Sequence, residues 1–218
     1  MRLYHGTGEA AARDILVNGL ISREDAASNW EVESRDDLVY LTDAYAPYFA
    51  TQASGEGERY GLVEVEVDPG DLLPDEDFLE QVTRGQDVCP LTGMVERTEW
   101  YRERLEGFAH HALDSLKGLG NAAHPGVLAV DVTRVVLFDP KAAPVFAWMA
   151  IDPSISVLNY RLMGDKYRGL TRALAGYSVT VDEVLGRIGV LGFPPEERLK
   201  LQGTLDALPN ALEILFKK

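Results

Sequence analysis

The sequence predicts an α+β protein, with a sheet-and-helix core over residues 1–145 and a mostly α-helical extension over 146–218. Three observations carry this. Short apolar runs of strand length alternate with amphipathic helical segments from residue 2 to about residue 140. Tyr60 to Val67 sets Leu62, Val63, Val65 and Val67 against Glu64 and Glu66, the pattern of a half-buried strand. Past residue 150 the strand-like runs stop and helix-prone stretches take over.

Taken in order, residues 2–4 read as a short strand. Glu9 to Asn18 then places Ala12, Ile15 and Leu16 at helical spacing, and Asn18-Gly19 closes the helix. Residues 22–37 are polar and mixed, a surface loop by composition. Leu38 to Leu41 is a strand, and Thr42 or Asp43 can cap the helix that runs through Phe49 to about Ala53. Asp68-Pro69-Gly70-Asp71 is a turn, and a short helix is expected over 75–83 after Pro74. Residues 84–95 carry Gly85, Pro90 and Gly93 and read as irregular. Residues 96–117 read as helix, with Trp100, Leu105, Phe108, Ala112 and Leu116 as the buried stripe. A glycine-rich stretch follows, then strands at Val127–Val130 and Arg134–Phe138. Residues 166–176, 180–190 and 195–216 read as helices, either a small subdomain or a layer on the core.

Charge and composition restrict the function. The 218 residues carry a net charge of −14, which disfavours a broad nucleic-acid surface. Two local basic groups, Arg97/Arg102/Arg104 and Arg161/Lys166/Arg168, read as solvated faces offsetting nearby acids. The single cysteine, Cys89, suits a reducing compartment, and a cytoplasmic setting is expected. No apolar run is long enough to span a membrane, so no membrane partner is expected. There is no phosphate-binding lysine loop, no dinucleotide glycine fingerprint, no nucleophile elbow and no zinc spacing. His110 and His111 are adjacent and cannot face one site on a helix, so no metal is expected.

What remains is an ordered set: LYHGT at 3–7, ILVNGL at 15–20, VYLTDAYAPYFA at 39–50 and LVEVEVDPGDLLPDED at 62–77. In kind and order, His5-Gly6-Thr7, Ile15-Leu16 with Gly19-Leu20, and Val39-Tyr40-Leu41-Thr42 resemble the ADP-ribosyltransferase superfamily, in the branch with a histidine on its first core strand. The resemblance covers roughly residues 2–140. It implies a split antiparallel sheet with flanking helices, NAD as the consumed cofactor, and ADP-ribose transfer to a protein, nucleic acid or small molecule with release of nicotinamide. The first half is also similar to RNA 2′-phosphotransferases, which share this fold and would need arginines beside His5. A catalytically inactive binding module of the same fold is the third possibility.

On this resemblance His5 holds a ribose hydroxyl, the Gly6 backbone approaches the nicotinamide amide, and Tyr40 stacks on nicotinamide. Thr7, Leu41 and Thr42 complete the NAD contacts, and Tyr48 or Phe49 walls the pocket. The transition state is oxocarbenium-like and calls for a nearby polar acceptor. Many family members place a glutamate on a late strand, where this chain has none. His124 is then the first substitute and Asn121 the second, with Glu99 of the 96–103 segment behind them. Glu64 and Glu66 come too early in strand order. His5 and Tyr40 are expected to line one cleft.

Overall fold

Strand formation follows the apolar alternation, and it ties the N-terminal segment into the middle of the sheet. The computed structural model describes residues 1–22, 35–83, 88–128, 131–149, 157–189 and 192–217. Seven strands are described: β1 (Arg2–Gly8), β2 (Leu38–Thr42), β3 (Tyr60–Glu66), β4 (Leu73–Pro74), β5 (Asn121–Pro125), β6 (Val132–Phe138) and β7 (Leu212–Phe216). They form one open antiparallel sheet in the order β4-β5-β2-β1-β3-β6-β7. Among the described residues the helices are α1 (Glu9–Asn18), α2 (Ala46–Ala53), α3 (Glu76–Thr83), α4 (Met94–Arg102), α5 (Ala112–Leu119), α6 (Val157–Leu174), α7 (Val181–Gly189) and α8 (Pro195–Ala207).

Apolar residues collect in three places. Leu3, Val39, Leu41, Val63 and Val65 face Ala12 of α1 and Leu116 of α5 on one side of the sheet. On the other side Tyr4 and Leu62 pack with Ala46 and Ala50 of α2 and with Leu170, Val184 and Leu201 of α6, α7 and α8. The C-terminal helices therefore share one apolar cluster with the central strand. The third cluster lies at the β4–β5 edge, where Leu38, Leu73 and Ala123 meet Phe78, Tyr101 and Leu105.

Several expectations are corrected. The 96–117 segment is not one helix: α4 ends at Arg102, and a 3-10 turn over Leu105–His111 precedes α5. The break lets Trp100, Tyr101 and Phe108 meet ring to ring at 5.0–6.2 Å. The 195–216 helix stops at Ala207. Leu208-Pro209-Asn210-Ala211 turns the chain, and the last segment joins the sheet as β7 beside β6. Of the expected strand at Val127–Val130, Leu128 makes a lone bridge to Leu20, while 129–130 lie outside the described residues. Residues 23–34 of the expected loop at 22–37 and 84–87 of the irregular stretch also lie outside them, as does the side chain of Arg161. Arg97 is not solvated: it is 5% exposed and faces Glu80 at 3.5 Å. Arg168 is half-buried between Asp43 and Asp165.

Two polar assemblies bind distant parts of the chain. Glu64 on β3 accepts from Arg134, from Thr133 and from the Tyr177 hydroxyl (2.7 Å), and Arg2 lies 3.3 Å away. The Arg2 and Arg134 guanidinium groups also sit over the Tyr177 ring, 4.8 and 4.3 Å from its centroid. At the surface, Arg59 donates to Glu9 of α1 and to Glu213 of β7, and Arg13 donates to the same two carboxylates.

Candidate functional site

The site is built by a break in strand pairing. β1 is zipped to β3 from Arg2 opposite Glu66 to Gly8 opposite Tyr60. β2 is likewise zipped to β5, from Leu38 opposite Pro125 to Thr42 opposite Asn121. Between β1 and β2, however, the described residues share one rung, Tyr4 opposite Thr42. Beyond it the sheet parts, with His5 to Gly8 on one lip and Leu38 to Leu41 on the other.

His5 stands at the first position past that rung. It is half-buried, and its Nδ1 lies 3.1 Å from the carbonyl oxygen of Tyr40. A carbonyl only accepts, so Nδ1 carries the hydrogen in this contact. A backbone bond lost to the split is thereby replaced by a side-chain one. Gly6 follows for a steric reason: a Cβ there would lie 1.8 Å from the Ala46 carbonyl oxygen, so α2 can rest on β1 only over a glycine. Thr7 is buried beside it.

Strand alternation sends His5 to the face of Leu3 and Thr7, and Tyr40 to the face of Leu38 and Thr42. The Tyr4–Thr42 rung makes these opposite faces. The expectation that both side chains line one cleft is corrected accordingly. His5 meets the backbone of Tyr40 at the split, and the Tyr40 ring turns the other way. There its hydroxyl donates to Glu76, 2.8 Å from Oε2 and 3.0 Å from Oε1. Burial, then the negative charge of Glu76, push the Tyr40 phenol far above its usual range, so it remains a donor.

The other named residues divide clearly. Leu41 points into the apolar cluster. Thr42 Oγ1 donates to the Gly120 carbonyl and accepts from the Ala44 and Tyr45 N–H groups, so its hydrogen-bonding capacity is used inside the fold. Gly120 has φ 88°, and a Cβ there would meet Ala44 and Tyr45 at about 3 Å, which brings the end of α5 onto the start of α2. Tyr48 and Phe49 pack against the cluster of α2, with ring centroids 5.7 Å apart.

The segment expected as the glycine-rich loop around Asn121 and His124 is strand β5. It places Asn121 on the Tyr40 face and His124 on the His5 face. Asn121 Oδ1 and His124 Nδ1 are both buried without a hydrogen-bond partner. Glu96 and Glu99 are exposed on α4, and Glu103 is exposed at its C-terminal cap. Among the described arginines, Arg97 faces Glu80, Arg134 pairs with Glu64 and Arg168 pairs with Asp43.

Glu76 is the residue that sequence reasoning missed. It falls within the segment that the sequence predicts as a short helix over 75–83. The usable signal was Tyr40 itself, since a tyrosine set in an apolar strand needs a partner for its hydroxyl. Compared with known proteins, the chain matches no family model and no curated protein sequence.

Proposed function

We propose that the chain is an ADP-ribosyltransferase that consumes NAD, with the parted β1–β2 lips as its binding site and a sheet of the split type that the resemblance implies. The observation that carries the reading is His5. It sits at the point where the central strands separate, fixed through Nδ1 to Tyr40 and half-exposed at the gap. A histidine so oriented can bond a ribose hydroxyl while losing little freedom. The neighbouring strand β5 fits a polar, sugar-bearing substrate: Asn121 Oδ1 and His124 Nδ1, one on each face, have no hydrogen-bond partner among the described residues. NAD supplies the labile bond between ribose and nicotinamide and is used up as a substrate. The protein's own residues orient the sugar, present polar atoms to it and hold water away. The net charge of −14 favours a protein or small-molecule acceptor over nucleic acid.

The test is nicotinamide release from labelled NAD, with a cell lysate supplying acceptors and protease or nuclease digestion identifying the labelled class. His5→Ala is expected to slow release at least about tenfold, because it removes both a hydrogen bond and an orientation. Its melting temperature is expected to stay near that of the native chain. Parallel losses of activity and melting temperature would make His5 a packing residue and remove the reading's main support.

A further inference from the structure

The two margins of the sheet are finished differently. At one, β4 is two residues long and buried, with Leu73 in the apolar cluster of Phe78, Tyr101 and Leu105. At the other, β7 runs from Leu212 to Phe216, and among the described residues no strand pairs with its outer side. Such an edge offers a row of backbone N–H and C=O groups to an extended chain. Its side chains are apolar as well: Phe216 is 66% exposed and Ile214 37%. Alternation puts Leu212, Ile214 and Phe216 on the face of Phe138, Val136 and Arg134. Glu213 and Leu215 take the opposite face, and continuing the alternation places Lys217 with them. The Glu213 side chain stays 42% exposed while accepting from Arg13 and Arg59, and a carboxylate has room for a further donor.

We propose that β7 is a dimerisation edge whose occupant is β7 of a second copy, running antiparallel across a two-fold axis at Leu215. This stands apart from the reading given under Proposed function. Backbone parity and charge select the register. In an antiparallel pair, opposite residues turn their backbone groups either both towards the partner strand or both away. The axis therefore passes through a residue and not between two. An axis at Leu212 or Phe216 would leave most of the strand unpaired. One at Glu213 sets two carboxylates face to face, and like charges directly opposite are destabilising. One at Ile214 sets each Glu213 against a Leu215. An axis at Leu215 sets Ile214 against Phe216 twice and Glu213 against Lys217 twice. The exposed apolar side chains then cover one another, and each carboxylate meets an ammonium. The contact is self-complementary and closed. The far margin, β4, is short and packed against the turn over Leu105–His111, so it offers no comparable edge for growth beyond a dimer.

The experiment is sedimentation equilibrium of the native chain, Lys217→Glu and Phe216→Thr over a concentration series. The native chain is expected to reach a dimer and no larger species. Lys217→Glu turns two attractive pairs into two repulsive ones and should weaken the dimer at least about tenfold. Phe216→Thr keeps strand propensity, removes the ring, and should weaken it at least about threefold. Melting temperatures measured at low concentration should stay near native, which separates association from folding. Cysteine cross-linking reads the register, because directly opposite residues have Cα atoms about 4.5–5.5 Å apart, within disulfide reach. The native Cys89 is buried and does not compete. Under mild oxidation a mixture of Ile214→Cys and Phe216→Cys chains should give dimers holding one chain of each kind, in clear excess over either variant alone. Stronger cross-linking of Ile214→Cys by itself would move the axis and overturn the assignment. A native chain that stays monomeric throughout leaves the edge to some other strand and overturns the proposal, as does assembly beyond a dimer. Native association in both Lys217→Glu and Phe216→Thr overturns it too. Should those two variants fail to fold, the cysteine mixture decides.

Discussion

Glu64 and Glu76 are both nearly sealed from water, at 4% and 6% exposure, yet their surroundings differ in kind. Glu64 lies in the zipped half of the sheet and is met by two guanidinium groups, a threonine hydroxyl and a tyrosine hydroxyl from β1, β6 and the turn after α6. Glu76 lies beside the parted half and is met by one tyrosine hydroxyl and its own backbone N–H, with the Arg102 charge acting on it without an ion pair among the described residues. The first arrangement cancels charge and fastens the C-terminal helices to the sheet. The second leaves the charge in place and fixes only its direction. A buried acid surrounded by bases is part of the scaffold, whereas one held by a neutral donor next to a gap has chemistry available to it.

The same substitution at both positions breaks or sharpens that contrast. Glu64→Gln strands Arg134 against a neutral amide and is expected to cost about 3 kcal/mol of unfolding free energy. Glu76→Gln should cost less than about 0.5 kcal/mol, since it removes a desolvated charge and keeps the acceptor. Denaturant titrations of both variants measure this, and equal losses would erase the distinction. A smaller effect is expected from Tyr177→Phe, which deletes the hydroxyl on Glu64 but keeps the ring under its two arginines: about 1.5 kcal/mol in the same assay.

The smallest effect is a pH dependence. A carboxyl whose folded pKa is raised, as burial raises that of Glu76, binds protons more readily folded than unfolded, so it makes the fold relatively more stable as pH falls from the raised value towards the ordinary one. At neutral pH the Glu76→Gln chain should therefore equal or exceed the native chain in stability. That advantage should shrink as pH falls through the folded pKa and be lost by the usual glutamate range near about 4.3. Taking the difference between the two chains removes the contribution of Asp43, which burial also raises, whereas Asp75, raised by burial and then by the charge of Glu76, shifts with the substitution and adds to the difference. A difference that is flat with pH would contradict the environment described for Glu76.

Where local chemistry decides structure, the sequence is readable. Helix α1 ends at Asn18 because Gly19 follows with φ 90°, and β3 alternates because one face meets α1 while Glu64 and Glu66 need polar surroundings. His5 stands out in sequence by its place between an apolar strand and a glycine, and it is found where β1 leaves β2. Other elements were illegible for a physical reason. Asn121-Ala122-Ala123-His124-Pro125 has almost no strand propensity and is extended because β2 and β4 offer ladders on both sides. Leu212 to Phe216 alternates well enough, but it follows a charged helix and in sequence reads as its tail. Pro209 was the cue that the helix had to stop. Arg97 and Glu80 belong to helices with ordinary charged patterns, and only the packing of α3 on α4 reveals that both are buried. Glu76 escaped for the same reason, because a sequence does not state which helix terminus a tyrosine hydroxyl will reach.

The ring of charges joining Glu9, Arg13, Arg59 and Glu213 makes the outermost strand sensitive to the ionic medium. Strand β7 is held to β6 by its backbone ladder, which salt scarcely alters, and to α1 and the approach to β3 by carboxylate–guanidinium contacts at the surface. Mobile ions screen such contacts, over about 30 Å at 0.01 M and about 8 Å at 0.15 M. As salt rises, the far margin of the sheet relaxes its grip on α1 while the interior strands keep theirs. Dilute buffer and physiological saline thus present two different edges of one sheet.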